Sequence, residues 1–345
     1  MLLLLSAVWC LSGCSSQEED PTARHTVSEG FQLLSAGNYQ EAEEIFRSCT
    51  ESKNSLQSAY RGLGISLMGE GRYEEAADAL IQSLSYSSGI PGNTEYDTNY
   101  YLGSCYFKME DMEAALEVYD AILALKPTDV EARQLRGTVR IAMGNYDAAN
   151  EDFRKAIDVD PDDYDRLISI YQIMERYGYE EAGKVYLQEA LARYEKSMSD
   201  YDHGRLSYYL GEYEEARVYL DRARSDNDYK VMVLLGKSYE KLGDVNYARN
   251  VYQSYLSTDQ SHPEIYNQLG LCQLKLGDYE GALSSFEKGI AIENNDIVQS
   301  LRFNEIVACE YLGDFSKAAD LMEEYLRDFP GDENAQREYI FLKTR

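Results

Sequence analysis

The chain has 345 residues, with 33 basic and 61 acidic side chains and a formal net charge of −28. Its 44% apolar content and 31 tyrosines offer more surface to bury than a disordered chain carries, and six cysteines in this length do not make a disulfide-dense mini-protein. The acid surplus excludes nucleic acid and anionic membrane faces as main partners, because their phosphates would be repelled rather than neutralised.

The N-terminal stretch reads as an address. Met1-Leu2-Leu3-Leu4-Leu5-Ser6-Ala7-Val8-Trp9 is shorter than the ~20 residues that span a bilayer, and residues 1–13 have the layout of a secretory signal. No Lys or Arg precedes the apolar run, which departs from the usual signal. The run leads into Leu11-Ser12-Gly13-Cys14, which resembles the lipobox of bacterial lipoproteins. That resemblance implies lipidation of Cys14 and a chain anchored by lipid to a bacterial membrane, on its extracytoplasmic side; two acyl chains are enough for stable anchoring. Residues 14–24, acidic and interrupted by Pro21, read as a flexible tether. A chance apolar start on a cytoplasmic protein is the alternative.

Residues 25–332 repeat. The phrase G-x-Y-x-x-A recurs with its alanine at Ala42, Ala76, Ala149, Ala216 and Ala282, and weaker copies end at Ala115, Ala182, Ala248 and Ala318. The nine alanines are spaced 34, 39, 34, 33, 34, 32, 34 and 36 residues apart. Seven copies carry a glycine twelve residues earlier (Gly30, Gly64, Gly103, Gly137, Gly204, Gly236, Gly270), and a bulky residue follows every alanine by four. Small residues at a fixed separation suit two helices whose backbones approach closely, with the bulky residues filling the space between successive hairpins. No such hairpin buries its apolar face alone, so neighbours must stack.

The period and the G…A…F…P pattern resemble the tetratricopeptide repeat (TPR) family, with Pro127, Pro161 and Pro330 at the closing position. The resemblance implies an all-α fold: a right-handed α-solenoid of about nine helix–turn–helix hairpins. Residues 333–345 fit a capping helix, with Ala335, Tyr339 and Leu342 on one face. Two copies are irregular. Five extra residues lie within 86–96, read as a longer loop or helix end rather than a binding loop. In the fifth copy Ile170 replaces the first glycine and Gly178 is one residue out of step with Ala182, so a bend is expected near 163–195.

Little in the sequence points to catalysis. The three histidines (His25, His203, His262) are scattered outside any metal-binding spacing. Gly236-Lys237-Ser238 mimics the end of a phosphate loop, but Val231 stands where the first glycine is required. The acids from Asp158 to Asp165 fail the calcium-loop pattern at Asp163 and Ser169, and read as an inter-repeat turn. Cys49, Cys105, Cys272 and Cys309 fall where the repeat wants a small buried residue, and a Cys272–Cys309 bridge stays open. No enzyme, cofactor or metal is therefore expected.

In the TPR family the groove residues lie three before, one after and four after the first conserved glycine. Carried onto this chain, that rule gives Arg61, Ile65 and Met68; Tyr100, Ser104 and Phe107; Gln134, Thr138 and Ile141. It continues with Leu167, Tyr171 and Met174; Tyr201, Arg205 and Tyr208; Val233, Lys237 and Glu240; Asn267, Leu271 and Leu274. Tyr, Met and Arg are enriched in interface hot spots, so the expected ligand is a protein or extended peptide. The alternatives are that these aromatics only complete the packing, or that groove tyrosines stack on cell-wall glycan.

Overall fold

A computed structural model describes residues 21–87, 91–194, 197–224, 228–293 and 295–345. The signal, Cys14 and the tether up to residue 20 lie outside the described residues. The first helix opens at Pro21, so residues 21–24, read from the sequence as tether, are helical. Pro suits a first helical turn, where its missing N–H would have no partner anyway.

The described residues are helical with no strand, and they form two compact units that meet in the chain at Gly183. The first holds α1 (Pro21–Ser35), α2 (Tyr39–Glu51), α3 (Leu56–Gly69), α4 (Tyr73–Ser85), α5 (Asn93–Lys108), α6 (Met112–Leu125), α7 (Val130–Ala142), α8 (Tyr146–Ile157), α9 (Tyr164–Arg176) and the start of α10 (Glu180–Tyr194). The second continues α10 and holds α11 (Asp200–Leu210), α12 (Tyr213–Ala223), α13 (Tyr229–Lys241), α14 (Val245–Leu256), α15 (Pro263–Leu276), α16 (Tyr279–Ile290), α17 (Val298–Tyr311), α18 (Phe315–Asp328) and α19 (Glu333–Leu342).

Within each unit the helices stack as hairpins, an α-solenoid arrangement. From α1 to α9 and from α11 to α19, each helix packs on the next, and odd-numbered helices also reach the next odd one: α1 to α3, α3 to α5, α7 to α9, α11 to α13, α13 to α15, α15 to α17. The odd helices are thus the closer-spaced inner layer of each stack. Side-chain caps start many of the helices. Asp111, Asp129, Asp163, Asp244, Asp278 and Asp314 each accept the N–H three residues on, while Asp228 and Asp332 accept the one two residues on. Each satisfies a donor that the helix itself leaves unpaired.

The small-residue slots do what their spacing predicts. At Gly236 an added Cβ would lie 2.2 Å from Tyr252 Cζ, so that glycine makes room for the partner helix's ring. The lookalike phosphate loop around it is the interior of α13. Asp163 caps α9 by accepting the Arg166 N–H at 3.0 Å, giving the acidic stretch a structural role.

The fifth copy corrects the sequence register. A turn residue with positive φ sits five before the small residue of the second helix: Gly144 before Ala149, Gly211 before Ala216, and Glu110 (φ 61) before Ala115. By that count Gly178 (φ 83) precedes Gly183, not Ala182. The backbone agrees, since Gly183 N–H donates to Tyr179 at 3.0 Å as Ala149 N–H donates to Asn145 at 3.1 Å. Tyr171, not Ile170, therefore occupies the place of the first glycine. The sizes are exchanged between the two helices: the first carries the bulk and the second carries the glycine.

The extra residues after the second copy are tied down at both edges. Tyr86 stacks on Tyr60, ring centroids 5.7 Å apart. Glu95 accepts from Gln57 at 2.7 Å, from Ser87 at 2.8 Å and from the Gly92 N–H at 2.8 Å. Burial alone would raise its carboxyl, but these hydrogen bonds outweigh it and hold the group below its ordinary value.

Candidate inner-layer binding surface

Every groove position read from the sequence lies on an odd helix. In the first unit, Arg61, Ile65 and Met68 project from α3, Tyr100, Ser104 and Phe107 from α5, and Gln134 and Thr138 from α7, all at least partly exposed. Their polar members are engaged within the chain. The Arg61 guanidinium pairs with Asp97 of α5 and lies 5.6 Å from the Phe31 ring centroid and 5.7 Å from that of Tyr101. Tyr100 donates its hydroxyl to Asp129 at 2.6 Å, and burial together with that carboxylate raises the phenol well above its ordinary range. Gln134 donates to Ser169 of α9 at 3.0 Å and accepts from Arg166 at 3.4 Å. Thr138 donates to the Gln134 carbonyl of its own helix at 2.8 Å.

Four groove positions given by that rule are core instead. Ile141 is 2% exposed, Tyr171 3% and Met174 0%. Leu167, chosen by the same rule, is buried as well. For the fifth copy the cause is the one-residue slip. Counting from Tyr171 instead of Ile170 moves the groove positions to Ile168, Gln172 and Glu175, of which Gln172 and Glu175 are exposed. Ile141 is buried with Val139 and Gly137 in the C-terminal half of α7.

The second unit places Tyr201, Arg205 and Tyr208 on α11. Arg205 lies over the Tyr201 ring at 5.1 Å and pairs with Asp202 at 2.9 Å. Tyr208 meets Tyr209 and Tyr213 edge-on, at 5.5 and 5.6 Å. Further along, Asn304 donates to Asn267 at 2.8 Å, and Glu240 accepts from Lys275 and from Tyr252. Lys237 precedes Glu240 by three residues on α13, and burial pulls its ammonium below the ordinary lysine value against a weaker opposing pull from Glu240.

Sequence reasoning missed these cross-repeat polar pairs. The signal was available: Arg61 and Asp97, Gln134 and Ser169, Glu240 and Lys275, Asn267 and Asn304 stand 35 to 37 residues apart, one repeat each. What remains accessible in the first unit is apolar to weakly polar: Ile65, Met68, Ser104, Phe107 and Thr138 on three successive odd helices.

The four cysteines are buried free thiols, including Cys272 and Cys309. Burial pushes Cys105 and Cys272 up to about 12 and Cys309 up to about 11, so at neutral pH they carry no thiolate. Among the described residues no cluster of His, Cys, Asp and Glu could hold a metal ion. Nor is any described helix long and apolar enough to cross a membrane.

Comparison with known proteins bears on the repeat. Models described as tetratricopeptide repeat match residues 32–88, 61–130, 102–173, 201–256 and 263–296. Cellulose synthase operon protein C of Xanthomonas axonopodis pv. citri is 24% identical over 291 residues, 80% of this chain and 19% of that protein. BBSome complex member BBS4 of Bos taurus is 20% identical over 275 residues, 79% of this chain and 52% of that protein. The chain thus spans between about a fifth and about half of these relatives. The crystal structure of yeast Tom70 superposes with a TM-score of 0.53 at 14% identity, covering 95% of this chain and 89% of that one, a likeness of fold.

Proposed function

This chain belongs to the tetratricopeptide repeat family, and from that premise we propose that it is a non-enzymatic scaffold. It is tethered by lipid on Cys14 to a bacterial membrane, on the extracytoplasmic side, and takes a protein or extended peptide on its inner helix layer. One observation carries the binding reading. Ile65, Met68, Ser104, Phe107 and Thr138 form an accessible strip on α3, α5 and α7, flanked by polar groups already paired within the chain. An apolar centre with a satisfied polar surround is the anatomy of a protein interface. Such a strip favours apolar side chains of an extended segment over a charged tail. The anchor rests on Leu11-Ser12-Gly13-Cys14.

One experiment with two arms tests both parts. A photo-crosslinking residue at Phe107 should capture a partner in the native cell. The same probe at Leu125, which is 51% exposed at the end of even-numbered α6, should not. Equal capture at both positions would place binding elsewhere. In the second arm, Cys14→Ala should move the protein from the membrane to the soluble fraction; retention would refute the anchor.

A polysaccharide ligand is the second reading. The edge-on rings of Tyr208, Tyr209 and Tyr213 could stack on sugars, and one relative bears the name of a cellulose synthase operon. Co-sedimentation with purified cell wall, lost on Tyr208→Ala, would favour it.

A further inference from the structure

At the end of the second unit α19 covers α17 and α18. Its Ala335 and Leu342 share one apolar cluster with Ile306, Cys309, Ala318, Met322 and Tyr325. Polar ties reinforce the seat. Tyr325 donates to Asp332 at 2.7 Å, Asp332 caps α19 by accepting the Ala335 N–H at 3.0 Å, and Tyr339 donates to Glu323 at 2.7 Å.

One group opposes this packing. Glu310, in the last turn of α17, is partly buried, and its Oε1 is buried without a hydrogen-bond partner among the described residues. The charged neighbour acting on it is Glu338 of α19, a like charge. Other ionisable groups at this end have their own engagements. On α18, Asp314 caps the helix and Lys317 reaches Glu287 of α16. On α19 and beyond, Arg337 faces Glu333, Lys343 lies over Tyr339, and Arg345 lies over Phe315 and Phe341. On α15, Lys275 is held by Glu240. Glu305, on α17 itself, is a further acid whose carboxyl burial raises. None of these supplies Glu310 with a counter-charge.

We infer that α19 is a pH-sensitive cover, seated on α17 and α18 while Glu310 is neutral and loosened when Glu310 ionises beside Glu338.

The direction follows from linkage. Burial first, and then the Glu338 charge, push the Glu310 carboxyl up to about 7 from its ordinary 4.5. A carboxyl raised in the docked state favours docking fully below 4.5, and that contribution is lost as the pH rises through about 7. Asp332 sets the opposite limit. The Ala335 N–H and then the Tyr325 hydroxyl hold its carboxyl below the ordinary 3.8, so its cap is present above that value and fails as the pH falls. The cover is therefore tightest in weak acid. At neutral pH and above, its release uncovers Cys309, Met322 and Tyr325.

Hydrogen exchange of the α19 amides between pH 5.5 and 8.5, corrected for the intrinsic pH dependence of exchange, tests this on the whole chain. Of the roughly 300-fold that a shift from 4.5 to about 7 could contribute in all, this pH window spans roughly 30-fold, which is the ceiling on the loss of protection, and side-chain relaxation should reduce it to about 3- to 20-fold. The α15 amides serve as the internal reference and should not change. Glu310→Gln should keep α19 protected throughout the range, and Glu338→Gln should shrink the drop. The cover is refuted by pH-independent α19 protection, by an equal drop in α15, or by an unchanged drop in both variants.

Discussion

The Asp152 carboxylate on α8, 2% exposed, is held by Arg136 at 2.6 Å and Arg140 at 2.7 Å, and Arg136 also reaches Asp120 at 2.6 Å. Both arginines are only about a fifth exposed, at 19% and 23% of their side-chain surface. Two half-buried cations thus depend on one buried anion. Removing the anion leaves them uncompensated, and breaking a buried pair from one side costs about 3–5 kcal/mol. Asp120 still serves Arg136, so Asp152→Ala should cost about 2–3 kcal/mol, read as a lower urea midpoint at unchanged slope. The exposed pair of Lys155 with Glu151, at 2.5 Å, looks as good on distance. Water screens it, and Glu151→Ala should change stability by less than about 0.5 kcal/mol. A similar loss in both variants would mean that the Asp152 cluster is not buried in solution.

At the level of the hairpin, the fifth copy fills its slot from the opposite side, with the bulk on the first helix and the glycine on the second. In seven copies the first helix offers glycine and the second alanine, and the ninth pairs Ile306 with Ala318; in the fifth, Tyr171 and Gly183 trade places in size. A Cβ at Gly183 would lie 3.2 Å from Tyr171 Cδ2 and 3.2 Å from Met174 Cβ, close enough that one of them must move. Gly183→Ala alone should therefore overpack the site, by about 1–2 kcal/mol. Tyr171→Gly alone should open a cavity and cost about 4 kcal/mol. Together they recreate the ordinary glycine-and-alanine pairing, so the double variant should be at least about 1 kcal/mol more stable than the sum of the two losses. Strict additivity would mean that the two positions do not share a slot.

The same copy marks the limit of what was legible in the sequence. Periodic small residues reveal hairpins because a close backbone approach admits few side chains, and seven of the nine copies carry both small residues in register, the ninth only its alanine. Ala182 beside Gly183 offered two small residues for one slot, and pattern alone selected the wrong one. The groove was legible as a helix face but not as a chemistry. Arg61 looks like a free cation until Asp97, one repeat later, is placed next to it.

For the whole molecule the relevant quantity is the charge. With 61 acids and 33 bases, 28 acidic groups have no base in the chain to pair with. Eight aspartates earn a structural place as helix caps, yet a cap satisfies a backbone donor without cancelling the net charge. Two salt effects then compete. Salt weakens attractive surface pairs, each worth about 0–1 kcal/mol. It also screens the repulsion among surplus acids, over a distance that shrinks from about 10 Å at 0.1 M to about 3 Å at 1 M. Many of the ion pairs join residues three or four apart on one helix, as Arg217 with Glu214 and Arg224 with Asp221 do, and such pairs contribute least. The surplus, by contrast, is confined to the folded volume and relaxes on unfolding. Repulsion should win. Raising NaCl from about 0.02 to 0.5 M should increase the melting temperature by a few °C, since roughly 1 kcal/mol moves a chain of this size by about 2 °C. A fall in melting temperature would instead assign the larger share to cross-helix attractions such as Arg136 with Asp152 and Arg302 with Asp328. In that case the acid surplus would be spread widely enough over the outer helices for its repulsion to matter little even in dilute buffer.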